Sequence, residues 1–103
     1  MFTVLYRWRV KPGLERQFIE SWSIITAYYR ENFAGALGSR LHQGSDGLWY
    51  AYARWESNEH RQDAFKKRLN LPERAKMTEA IEESFPEIRL EIISDLLAPT
   101  EKI

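Results

Sequence analysis

Residues 37–55 read LGSRLHQGSDGLWYAYARW. Two runs, Leu37–Gln43 and Leu48–Glu56, flank the tetrad Gly44-Ser45-Asp46-Gly47, whose residues tolerate the positive φ of a tight turn. The reading is a β-hairpin. With the turn centred on Ser45-Asp46, His42 pairs with Trp49, Arg40 with Ala51 and Gly38 with Ala53. Cross-strand partners share a face. One face is then expected to carry Gly38, Arg40, His42, Trp49, Ala51, Ala53 and Trp55. The other carries Leu37, Ser39, Leu41, Leu48, Tyr50, Tyr52 and Arg54. A slip of one residue in either strand exchanges its sets.

Upstream, Phe2, Val4, Tyr6, Trp8 and Val10 alternate with Thr3, Leu5, Arg7 and Arg9, the period of a strand. Lys11-Pro12-Gly13 ends it. The period then changes: Leu14, Phe18, Trp22, Ile25 and Tyr29 fall on one helical face, widened by Ile24 and Tyr28. Downstream, Ser57 is a helix N-cap, and a helix is expected to run to about Leu69. Asn70-Leu71-Pro72 interrupts it, and a second helical piece is expected over Glu73–Ser84, stopped by Pro86. Ile88, Leu90 and Ile92 alternate with Arg89, Glu91 and Ile93 in a last strand expected to run to about Leu97. The order βαββαβ predicts an α+β, ferredoxin-like fold, a four-stranded antiparallel sheet with both helices on one face. Residues 1–98 form the one domain and 99–103 a tail. The open face, with Leu37, Leu41, Tyr50 and Tyr52, is too apolar for water and predicts a homodimer packed sheet to sheet through Leu41, Tyr50 and Tyr52.

The 103 residues hold 15 basic and 15 acidic side chains. Neither half of the chain is a charged tail, so composition supplies no pull toward nucleic acid or anionic membrane. The absence of cysteine excludes disulfides, thiolate nucleophiles and cysteine-ligated metal, and fits a cytoplasmic protein. The two histidines, His42 and His60, have no metal-binding spacing, and His60 reads as a surface residue. No apolar run reaches the length of a membrane span. There is no phosphate-binding glycine loop and no nucleophile elbow.

The four tryptophans carry more information. Gly38, Ala51 and Ala53 are small where a core strand ordinarily has bulk, which suits either close helix packing or a pocket. Around them the expected register places Trp49, Trp55, Arg40 and His42. Aromatic walls with a cation and an imidazole suit a flat, oxygenated, partly anionic molecule. Trp22 is a further wall or a core residue of the apolar helix stripe.

The strings Tyr6-Arg7-Trp8-Arg9-Val10-Lys11-Pro12-Gly13, Ala34-Gly35-Ala36-Leu37-Gly38-Ser39-Arg40-Leu41 and Trp49-Tyr50-Ala51-Tyr52-Ala53-Arg54-Trp55-Glu56-Ser57 resemble the antibiotic biosynthesis monooxygenase domain. The resemblance implies a dimeric α+β barrel, with a pocket between each sheet and its own helices. It implies oxidation of phenols, anthrones or quinols by O2 without metal, flavin or other cofactor. Trp55 matches a pocket-lining position of the family. On this reading His42 shuttles a proton, Arg40 stabilises the substrate anion, and Trp55 completes the catalytic set. Trp22, Trp49, Ala51 and Ala53 bind the substrate. The strands lack the asparagine that characterised members use, and no histidine lies between Arg61 and Phe85 to bind haem, which speaks against the haem-degrading branch.

Two alternatives stand beside the monooxygenase. One is a non-catalytic dimer of the same fold that binds a small aromatic compound. The other is RNA binding, since RNA-recognition motifs share the element order and Tyr50 and Tyr52 sit on the third strand. The zero net charge and Leu48-Trp49, where that motif has a basic residue and glycine, weigh against it.

Overall fold

A computed structural model of the protein describes residues 1–67 and 69–98. The tail expected at 99–103 lies outside the described residues. The elements are β1 (Phe2–Val10), α1 (Glu15–Asn32), β2 (Ala36–Gln43), β3 (Trp49–Trp55), α2 (Asn58–Lys66), α3 (Pro72–Ala80), β4 (Ile81–Ser84) and β5 (Ile88–Leu90). The sheet is antiparallel in the order β2-β3-β1-β4, with β5 also on β1. This is the ferredoxin-like α+β arrangement, with its fourth strand in two pieces.

Those pieces correct two expectations. Ile81–Ser84 is a strand, not the end of a helix: α3 stops at Ala80, and Val10, Arg9 and Trp8 of β1 pair with Ile81, Glu83 and Ser84. The helical preference of a four-residue segment yields to an unfilled edge of β1. The last strand is only Ile88–Leu90, which pairs with Leu5, Val4 and Thr3. Between Trp8↔Ser84 and Leu5↔Ile88, three steps along β1 are matched by four along the edge. One extra residue is accommodated at Pro86, which cannot donate to the ladder.

The hairpin carries the third correction. Gln43 pairs with Trp49, His42 with Tyr50, Leu41 with Ala51 and Arg40 with Tyr52. The loop is therefore one residue longer than expected. Gly44 N–H bonds to the Leu48 carbonyl, Gly47 N–H to the Gly44 carbonyl, and Leu48 N–H to Asp46 Oδ1. Gly47 takes φ +84°, so a left-handed residue ends the turn and Leu48 joins the loop. From Ser39 onward the two faces of β2 are exchanged. Near the start of β2 the pairing runs from Ala36↔Trp55 to Ser39↔Ala53, three residues against two, and Gly38 at φ +91° absorbs the bulge.

The register of β1 with β3 puts Phe2, Val4, Tyr6 and Trp8 on the face of Trp55, Ala53, Ala51 and Trp49. Val10, Phe18, Trp49 and Ala80 form a core there, with Trp8, Leu14, Leu41, Met77 and Ile81 packed on it. Phe18 is fully buried. It meets Trp8 and Trp49 edge-on at ring separations of 5.3 and 5.7 Å. Ile24 and Tyr28, expected to widen the helix stripe, are exposed. Ser57 caps α2 by accepting the His60 N–H at 3.1 Å. His60 is half-buried, not a surface residue: its ring fills the space a side chain would need at Gly35. Gln17 of α1 donates to the Lys76 carbonyl and Glu79 of α3, clamping those helices together.

Candidate functional site

α1 serves two purposes along one stripe. Its first turns, through Phe18, fill the core at the Val10 and Trp49 end of the sheet. Its later turns supply Trp22, Ile25, Thr26 and Tyr29 to a cavity of about 190 Å3. Below them Ala51 and Ala53 of β3 occupy little volume, so helix and sheet do not close on each other there. Tyr6 and Trp8 of β1, Trp55 of β3, Phe65 of α2 and Met77 of α3 complete the walls. Tyr29, Trp55 and Phe65 pack mutually edge to face at 5.7–6.3 Å, a geometry aromatic rings favour. Tyr6 and Trp8 lie stacked at 6.0 Å.

Four of the residues expected in the pocket line this cavity: Trp22, Ala51, Ala53 and Trp55. Trp49 belongs to the neighbouring core. Arg40 and His42 do not line it, because the hairpin register turns both to the open face beside Tyr52 and Tyr50. Leu41, expected on that open face, packs against the core instead. The open face is accordingly not the apolar surface anticipated. Beside Tyr50 and Tyr52 it carries Arg7, Arg9, Arg40, His42 and Arg54, with Leu5, Ile88 and Leu90.

A polar group anticipated by none of the sequence patterns stands behind two lining residues, Tyr6 and Phe65. Arg61 of α2 is 5% exposed. Its Nε donates to the Tyr6 hydroxyl at 3.1 Å, and its Nη2 meets Glu87 at 2.5 Å. The guanidinium also lies over the rings of Phe65, Tyr6 and Phe2 at 5.0–5.9 Å. Glu87 reaches it from the short segment between β4 and β5, beside Pro86. Burial raises the Tyr6 phenol above its ordinary 10.0, with the Arg61 hydrogen bond opposing. Burial likewise raises Tyr29. The available signal was an arginine at the apolar face of α2, one turn before Ala64 and Phe65.

Tyr6 and Tyr29 thus stay protonated at neutral pH, and neither carboxylate nor imidazole lines the cavity. Such a cavity offers aromatic walls to a flat ring, with hydroxyl donors and the guanidinium groups of Arg30 and Arg54 rather than a strong base. Among the described residues no three His, Asp or Glu side chains gather where they could hold a metal ion. No helix among them is long and apolar enough to cross a membrane.

A ferredoxin-like sheet with an aromatic cavity beneath its own helices defines a class, and sequence comparison names it. The antibiotic biosynthesis monooxygenase profile matches residues 1–80, and the chain belongs to that family. Solved structures share the fold at low identity. SnoaB, a cofactor-independent oxygenase from Streptomyces nogalater, is 16% identical with a TM-score of 0.75, over 92% of this chain and 95% of its own. A Caulobacter crescentus protein assigned to the same monooxygenase family is 15% identical with a TM-score of 0.77, over 90% of both chains. Rv0793 from Mycobacterium tuberculosis is 15% identical with a TM-score of 0.73, over 93% of this chain and 98% of its own. No curated protein matches the sequence.

Proposed function

We propose that the protein is a cofactor-independent monooxygenase that oxidises a small phenolic, quinol or anthrone-type compound with O2 in the cytoplasm. The observation that carries this reading is the cavity between Ala51, Ala53 and Trp55 on the sheet and Trp22 and Tyr29 on the helix. Its aromatic and small apolar walls cover the faces of a flat ring, which limits the water that a substrate-derived carbanion meets before O2. In the reaction the substrate loses a proton and its anion reduces O2. The resulting peroxide then loses water, so that CH2 and O2 become C=O and H2O. All electrons come from the substrate. No carboxylate or imidazole lines the cavity, so the substrate's proton passes to solvent, and Arg30 and Arg54 in the lining are the cations that favour the anion.

Oxygen uptake by chelator-treated protein with anthrones, hydroquinones and catechols tests this. Turnover above the spontaneous rate that falls in Trp55→Ala is expected. Uptake no faster than the spontaneous rate across the panel would overturn it. The lack of a strong base at the cavity favours a second reading, a binding protein for such compounds without turnover, which the same panel separates by binding without uptake.

The working form in this proposal is a homodimer, as the family implies. The surface of one chain, 7475 Å2, exceeds the roughly 6,000 Å2 expected for a compact 12.2 kDa monomer. Ile93, Leu96 and Leu97, 79–94% exposed, contribute to the excess. A groove between this segment and the open face has Arg40 and Arg54 on one side, Glu91 and Asp95 on the other. Light scattering that returns a monomer at micromolar concentration would remove the dimer from the reading.

A further inference from the structure

Thr26, Tyr29, Arg30, Ser39 and Arg54 also line the cavity, but only at Tyr6 is the direction of the hydrogen bond fixed by a buried partner. An arginine Nε–H only donates. The Tyr6 oxygen, 3.1 Å from Arg61 Nε, therefore accepts. The phenolic proton must point elsewhere, and among the described residues no acceptor takes it. Tyr6 lines the cavity. Arg61 has no freedom to release its hold: Glu87 binds the other end of the guanidinium, and three aromatic rings enclose it. The phenol is thus a donor set in place before any ligand arrives, strengthened by the cation bonded to its oxygen.

Size supplies the second constraint. An apolar cavity of about 150 Å3 accepts benzene. The cavity here, at about 190 Å3, is only modestly larger.

We infer that the ligand of this cavity is an aromatic of one or two fused rings bearing an acceptor oxygen, and that Tyr6 donates its proton to that oxygen while Arg61 positions Tyr6. This narrows the proposed substrate class to its one- and two-ring phenols and quinols, away from three-ring anthrones, and rests on the reading of the cavity as the ligand site, but not on turnover. As negative charge develops on the ring oxygen, the same hydrogen bond strengthens, so Tyr6 acts on the anion as well as on the resting ligand.

Equilibrium dialysis of the full chain with naphthalene, 2-naphthol and 2-anthrol tests the inference. A purely apolar cavity should prefer naphthalene, because burying a hydroxyl without a partner is costly. Wild type is expected to bind 2-naphthol about tenfold more tightly than naphthalene, and more tightly than 2-anthrol. Tyr6→Phe keeps the ring and is expected to retain naphthalene binding while losing the preference for 2-naphthol. Arg61→Met is expected to shrink the 2-naphthol to naphthalene ratio, a quantity that a merely structural role would leave unmoved. Absence of that preference in wild type, whether both probes bind or neither does, overturns the assignment. So does its survival in Tyr6→Phe. Tighter binding of 2-anthrol overturns the size limit. A protein with the Tyr6-dependent preference but no oxygen uptake would refute the oxygenase and leave Tyr6 in place. Oxygen uptake with an unchanged preference in Tyr6→Phe would do the reverse.

Discussion

β3 shows the same strand to two environments. Toward the helices it presents Trp49, Ala51, Ala53 and Trp55, all buried; toward the other side it presents Tyr50, Tyr52 and Arg54, all half-buried. The alternation is regular, yet the two faces use volume in opposite ways. On the helix face two tryptophans hold the layers apart and the alanines between them leave the gap. On the open face large polar-tipped side chains project among arginines of the neighbouring strands. A cavity is therefore made by what is missing between two large residues, and its stability depends on those residues.

The largest break in this contrast should come from Trp55→Ala. Removing a tryptophan that is 5% exposed is expected to cost about 3–5 kcal/mol in urea unfolding. Tyr52→Ala on the opposite face should cost less than about 1 kcal/mol under conditions where the chain is monomeric. Equal losses would mean that the two faces are not packed differently. Ala53→Leu sharpens the contrast from the other side. Overpacking is expected to cost about 1–2 kcal/mol, while naphthalene binding disappears because the added methyl groups occupy the cavity. Retained binding would place the ligand elsewhere.

The faces also differ in how they respond to pH. Tyr6 and Tyr29 on the helix side have phenols raised above 10.0 by burial. The unfolded chain ionises first, so their contribution is complete below about pH 10 and declines as pH rises beyond it. Alkaline unfolding curves should become shallower in Tyr6→Phe; an unchanged slope would show that the buried phenol does not govern the decline. The smallest effect is on the turn beside the open face. Asp46 is held below its ordinary 3.8 by the Tyr50 hydroxyl and the Leu48 N–H. The turn therefore keeps this support above about pH 4 and loses it as pH falls through the lowered value. An NMR titration of Asp46 at or above the ordinary value would show the hairpin cap to be absent in solution.

Much of this architecture was legible from residue periods. The alternation of Phe2–Val10, the helical stripe from Leu14 to Tyr29 and the cap at Ser57 all read correctly because local chemistry and tertiary packing agree there. The hairpin was legible as a hairpin but not in register. Whether Leu48 belongs to the strand or the loop depends on the conformation of Gly47, and that single residue decides where Arg40, His42 and Leu41 point. Ile81–Ser84 was unreadable for a different reason: its partner, the edge of β1, is about seventy residues away. Of the candidate site, the small residues and tryptophans were visible in the strands, whereas Tyr6, Arg61 and Glu87 come from three separated segments that meet only after folding.

The split edge has a consequence for how the molecule moves. β1 is paired by β3 from Phe2 to Trp8, by β5 at Thr3–Leu5 and by β4 at Trp8–Val10. Its amides should be among the last to exchange with deuterium. The opposite wall is held by side chains alone, through α1 and the exposed Phe65 of α2. The helical wall is thus the one that can adjust to a bound molecule, over a floor held by the ladder. The exchange rates of α1 and α2, rather than those of the sheet, should be the ones that slow when it binds.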